Sequence, residues 1–161
     1  MEKNCIEEFT TNKNYRSVTF TYNEKNYEIN VSLYSNSVLV FICYNGKISN
    51  LYELNFDAEE EKEMDDLYYM GENQEENIKD IEIAQCILGE RGNEQMNFIA
   101  NFIISYVKDI ILKINSKINK ICLSLSLDNN LLENINDNNK VKDFLNNIKI
   151  NIGKIFNISK Q

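Results

Sequence analysis

The chain has 161 residues, a formal net charge of -8, 43% apolar and 26% charged residues, proportions ordinary for one soluble globular domain. It contains no His, Pro or Trp, which excludes Ser-His-Asp and Cys-His catalysis, His-ligated zinc and an imidazole proton shuttle. Eleven acidic residues and two lysines lie between Asp57 and Asp80, so the rest of the chain is nearly neutral, with 14 acidic against 15 basic residues. No basic stripe of the kind that grips nucleic acid is present.

Asn, Ile, Lys and Tyr are enriched, while Ala and Arg number three and two. The enriched residues have AT-rich codons, so the Asn-rich patches reflect the genome and not a prion-like tract. Cys5, Cys43, Cys86 and Cys122 are widely spaced with no C-x-x-C, which fits neither a zinc ribbon nor a thioredoxin-like site. The last three fall in apolar runs, where a reduced Cys acts as a small buried hydrophobe. With no signal-peptide pattern at the N-terminus, the expected setting is the reducing cytoplasm or nucleus.

The first dozen residues read as a frayed terminus. From Tyr15, period two sets in: Val18, Phe20 and Tyr22, then Tyr27, Ile29, Val31 and Leu33, alternate with polar residues. Two half-buried antiparallel strands follow, joined by the turn Asn23-Glu24-Lys25-Asn26. After Ser35-Asn36, the run Val38 to Cys43 is apolar on both sides, the mark of a central strand. Asn45-Gly46 favours a type I′ turn, predicting that this third strand folds back onto a fourth, Ile48 to Phe56. The acidic segment 57–79 is predicted to be a long mobile insertion.

Ile81 to Leu88 is a fifth predicted strand, stopping at Gly89. Asn93 is a suitable N-cap for a helix bearing Met96, Ile99, Ile103, Val107, Ile110 and Ile114 at helical spacing, with Phe98, Phe102 and Tyr106 widening the apolar face. The apolar stretch Phe98 to Ile114 is interrupted by Asn101, Lys108, Asp109 and Lys113, so it does not read as a membrane span. Ile121, Leu123, Leu125 and Leu127 define a sixth strand. Val141, Phe144, Leu145, Ile148, Ile152 and Ile155 define a last helix, with a short helical turn near Leu131, Leu132 and Ile135 before it. Order βββββαβα implies an α+β fold, a six-stranded antiparallel sheet with two helices packed on one face. One domain spans 1–161, with its core in 15–56 and 80–157.

The search for chemistry returns little. Gly89-Glu90-Arg91-Gly92 precedes a helix but lacks G-x-G-x-x-G spacing and the G-K-[ST] ending of a P-loop, so a plain turn fits better. Asp65-Asp66 and Glu59-Glu60-Glu61 sit in the predicted loop, which does not hold carboxyl groups rigidly enough for acid–base work. That loop also lacks EF-hand periodicity. The serines of Leu123-Ser124-Leu125-Ser126-Leu127 have no base beside them, and they form a small, flat strip on one strand face. The expectation is a binding or structural domain, not an enzyme, with no cofactor and no metal.

Two-residue turns predict a first apolar face from Leu33, Val38, Val31, Val40, Ile29 and Ile42, which both helices cover. They predict a second face from Leu39, Phe41, Cys43, Ile48, Tyr52, Leu54 and Phe56, with Cys43 opposite Ile48, Phe41 opposite Asn50 and Leu39 opposite Tyr52. That face is too apolar to stay wet, so it is the candidate dimer or partner interface.

The stretch Val31-Ser32-Leu33-Tyr34-Ser35-Asn36-Ser37-Val38-Leu39-Val40-Phe41, running on to Gly46-Lys47-Ile48 and Asn50-Leu51, resembles the central hairpin of the small proteasome assembly chaperones, third and fourth members of that group. Ala84-Gln85-Cys86-Ile87-Leu88-Gly89 resembles the strand before their first helix, and Ile121 to Leu127 the strand after it. Gly46-Lys47 fits one member type and Asn50-Leu51 the other. The resemblance implies a non-enzymatic scaffold that dimerises with a homologous chaperone subunit, as a homo- or heterodimer. It further implies binding to α-type subunits of the 20S proteasome to promote α-ring assembly. The competing reading is another small α+β interaction module, such as a longin- or roadblock-like trafficking adaptor. A roadblock-like chain opens with a helix, whereas five strands come first here.

Overall fold

Period-two alternation becomes a sheet wherever tight turns bring neighbouring segments together. In the computed structural model, the described residues are 9–12, 14–56, 82–115, 117–133 and 138–156. The first strands are β1 (Phe9–Asn12), β2 (Tyr15–Tyr22), β3 (Lys25–Leu33) and β4 (Ser37–Tyr44), each antiparallel to the one before. Asn23 and Glu24 both have positive φ, 46° and 63°, so the β2–β3 turn contracts to two residues, with Tyr22 paired to Lys25. The predicted pairs Ile29–Ile42, Val31–Val40 and Leu33–Val38 form as expected. Strand β1 lies where a frayed terminus was expected. Its β-branched Thr10 and Thr11 pair with Ser17 and Arg16.

Beyond β4 the order changes. The chain continues through β5 (Asn50–Asn55), β6 (Gln85–Leu88), helix α1 (Glu94–Ile114), β7 (Lys120–Leu125), helix α2 (Asn129–Glu133) and helix α3 (Asn138–Ile155). The sheet runs β1-β2-β3-β4-β7-β5-β6, so it has seven strands where the sequence predicts six. The α+β architecture, with helices packed on a mostly antiparallel sheet, is as expected. The β4–β7 pair is parallel.

Strand β7 therefore lies between β4 and β5, which corrects the predicted β4–β5 hairpin. Asn45 and Gly46 do make the tight turn, with φ of 50° and 68°, and Tyr44 bridges Lys47. There the pairing stops. None of the predicted contacts Cys43–Ile48, Phe41–Asn50 or Leu39–Tyr52 forms. Instead Asn50, Tyr52 and Leu54 pair with Leu125, Leu123 and Ile121. Those β7 residues face the helices, and β5 follows them onto that side. The segment called a mobile insertion, with its acidic run, lies outside the described residues.

The core lies between the sheet and the helices. Val18, Ile29, Val40, Ile42, Tyr52 and Leu123 are each fully buried, against Ile99, Ile103 and Val107 of α1 and Phe144, Ile148 and Ile152 of α3. All six apolar positions predicted for the last helix are buried. In α1, Ile104 and Ile111 join the buried stripe, while Phe98 and Ile114 are 61% and 55% exposed. The stripe is thus rotated away from Phe98. Arg16 donates from Nη1 to the Ile155 carbonyl at 2.6 Å, satisfying an orphan acceptor at the C-terminal end of α3 with a cation of the right sign for the dipole.

Asn93 caps α1 as its sequence position suggests, its Oδ1 accepting from Met96 N at 3.0 Å. Asn93→Ala removes that acceptor and is expected to cost about 1 kcal/mol. The melting temperature should fall by about 3 °C for a domain of this size, read by circular dichroism. An unchanged melt would mean that water replaces the cap at no cost.

Candidate interaction face

The two sides of the sheet differ in kind. Among the described residues, α1 and α3 roof one side and no helix covers the other. The latter carries, in one row across five ladders, Ser17, Asn30, Phe41, Ser124, Leu51 and Leu88. Beside it run Tyr15, Ser32, Leu39, Cys122, Glu53 and Gln85. Directly opposed residues point to one side, so alternation in β4 sends Leu39, Phe41 and Cys43 to the helix-free face and Val38, Val40 and Ile42 to the core. Toward β2 and β3 the face is polar, with Thr19, Glu28, Asn30 and Ser32. Toward β4, β7, β5 and β6 it turns apolar.

The expected interface residues divide accordingly. Leu39, Phe41 and Cys43 share the helix-free face, Leu39 and Phe41 partly exposed. Tyr52, Leu54 and Phe56 do not: they are buried among core residues, because β5 pairs with β7 and not with β4. Ile48 lies in the turn before β5 and is 67% exposed. In their place the topology brings Leu51, Glu53, Cys122, Ser124 and Leu88 onto the face. Sequence reasoning missed Leu51, Glu53, Cys122 and Leu88, and it placed Ser124 on a small, flat strip of one strand face. The serine strip on β7 was the signal, since only small side chains separate Phe41 from Leu51.

Ser124 holds the centre of this face. It is 1% exposed, and among the described residues its Oγ has no hydrogen-bond partner, with Phe41 and Leu51 opposite it on either side. A buried hydroxyl left unpaired costs free energy, and a group that pairs with it from outside would remove that cost. On the neighbouring β5, Glu53 accepts from Lys120 of β7 at 2.6 Å and from Asn55 Nδ2 at 3.0 Å. The Lys120 hydrogen bond, seconded by Asn55, holds the Glu53 carboxyl below the usual carboxylate range, and the same bond raises Lys120. Both groups are therefore charged at neutral pH and neutralise one another at the edge of the apolar area.

The thiols on this face are quiet. Burial pushes the Cys43 and Cys122 pKa values up, with Glu28 adding to the effect at Cys43. Both stay protonated at neutral pH and lack the activation that a nucleophilic Cys needs. Among the described residues, no cluster of three or more Cys, Asp or Glu side chains is placed to hold a metal ion. Among the described helices, none is long and apolar enough to cross a membrane.

No protein-family model matches the sequence, and no curated protein matches it. The fold, in contrast, is similar to a solved one. A chain from the crystal structure of a novel chaperone complex for yeast 20S proteasome assembly aligns with a TM-score of 0.53 and 18% identity, covering 88% of this chain and 98% of that one.

Proposed function

We propose that this chain is a non-enzymatic assembly chaperone of the proteasome α-ring, acting as a dimer with a related subunit or a second copy. The observation that carries the reading is the similarity of fold to a chain of a 20S proteasome assembly chaperone complex over nearly the whole of both chains. The helix-free sheet face supports it independently. Leu39, Phe41, Leu51 and Leu88 form an apolar area bounded by polar residues, as at protein–protein contacts. A second sheet packed on it would make a two-sheet sandwich with helices on both outsides. In this reading α-type 20S subunits are the clients, and the protein works in the cytoplasm or nucleus.

A tagged chain recovered from its native lysate tests this directly. Quantitative mass spectrometry should show α-type 20S subunits enriched at least about tenfold over β-type subunits, together with a second small α+β chain or an untagged copy. Enrichment of vesicle-coat or small-GTPase components with no α-type subunits would replace the reading with a trafficking adaptor.

A further inference from the structure

On the far side of the molecule from the sheet face, α1 and α3 leave a groove between their N-terminal halves. It holds about 630 Å³ and is lined by Glu94 to Phe102 of α1 and Val141 to Lys149 of α3. Its floor is apolar, from Phe98, Phe102, Val141 and Leu145. Phe98 is 61% exposed, a large aromatic on a solvent-facing groove that the fold does not use. The polar rim carries Lys142 and Lys149 beside Glu94, Gln95 and Asn146, so its formal charge is +1. Among the described residues, neither lysine makes an ion pair. Lys149 is held in place, its Nζ 4.7 Å from the Phe102 ring centroid and 5.1 Å from that of Tyr106. The positive ends of both helix dipoles point to the same end of the groove. Glu94 offsets one of them.

We propose that this groove is a second docking site, which receives an acidic, amphipathic segment of a partner protein. Apolar anchors at helical spacing would lie on Phe98, Phe102 and Leu145, the arrangement in which a helix seats in an apolar groove. Carboxylates flanking those anchors would meet Lys142 and Lys149. Charge selects the occupant: a basic segment would face the Lys142 and Lys149 ammonium groups, which make no ion pair among the described residues, and a neutral one would leave them without a counter-charge. The site is separate from the sheet face, so a chain dimerised through its sheet keeps it open.

The test uses the full chain and a fluorescein-labelled peptide of Asp and Glu with Leu, Phe and Leu at helical spacing. A control peptide has every acid replaced by Lys. Fluorescence anisotropy should show binding of the acidic peptide alone, weakening as salt rises. Phe98→Glu and Lys149→Glu should each weaken it about tenfold or more, while sedimentation stays as in the parent and Phe98→Glu, at an exposed position, keeps the parent's melt. Equal binding of both peptides, no binding, or unchanged affinity in both variants would overturn the proposal. A benzophenone amino acid in place of Phe98 identifies the occupant after irradiation. A crosslink to the added peptide supports a partner segment. A crosslink to residues 57–81 of the same chain, or to a second copy, overturns it.

Discussion

Phe41→Glu is expected to convert the dimer proposed above to a folded monomer. Phe41 lies on the helix-free side of β4, between Asn30 and Ser124, and part of its ring is exposed. A carboxylate at that point can reach water in the isolated chain, and none of the described helices packs over it, so the fold should survive. Buried under a second sheet, the same carboxylate would lose its hydration without gaining a cation. Lys120, four residues along β7 from Ser124, is already paired with Glu53 at 2.6 Å. Central aromatic anchors in interfaces are worth about 2–4 kcal/mol, so the dimer dissociation constant should rise on the order of a hundredfold. Sedimentation velocity reads the change, with circular dichroism checking that helix and sheet remain. Tyr52→Phe is the contrasting variant: Tyr52 belongs to the core, so it should melt at a lower temperature and keep the parent's dimer affinity. A Phe41→Glu protein that sediments as a dimer at parental affinity would move the interface elsewhere.

The two sets of expectations met different fates for one physical reason. The β2–β3–β4 meander is local, and two-residue turns fix its register, so Ile29 opposite Ile42 follows from counting along the chain. The place of β5 is not local. Asn45-Gly46 specifies a reversal of direction, and the strand that pairs after it is chosen by tertiary packing. Here β7, arriving some 75 residues later in the chain, pairs in parallel with β4 and takes the place that the turn seemed to reserve. Since β5 then takes its register from β7, Tyr52, Leu54 and Phe56 turn to the helices while Leu51 and Glu53 turn away. Alternation in the sequence showed that β5 has an apolar side. It could not show which side that was. Leu39, Phe41 and Cys43 were legible because β4 carries its own central position in a run apolar on both sides. Ser124, at the centre of the face, was legible as part of a small, flat strip on one strand face, and its importance comes from what lies on either side of it.

Gly89→Ala is expected to be among the most damaging single-methyl additions to the described chain. Gly89 joins β6 to α1 with φ of +108°, a conformation that L residues rarely adopt and that costs about 1–3 kcal/mol when forced. A methyl group there would also stand 2.4 Å from Asn50 Oδ1 and 2.9 Å from Asn50 Cα, so the β5 backbone itself would have to move. Asn50 cannot give way cheaply. Buried at 5% exposure, it donates to the Tyr52 hydroxyl and the Glu90 carbonyl, each at 3.3 Å, and accepts from Glu90 N at 3.3 Å. Tyr52 in turn donates to Asn97 Oδ1 at 3.0 Å, and Asn97 Nδ2 donates to the Arg91 carbonyl at 3.1 Å. This chain of hydrogen bonds ties β5 to the start of α1, and displacing Asn50 would leave buried polar groups unpaired. Backbone strain and overpacking together should cost about 3 kcal/mol, lowering the melting temperature by about 10 °C. Gly92→Ala is the control three residues on, since a methyl group there meets nothing within 4 Å, and it should melt within about 1 °C of the parent. If Gly89→Ala melts with Gly92→Ala, the turn relaxes around the added methyl, and the close approach of Gly89 to Asn50 is not what holds β6 to β5.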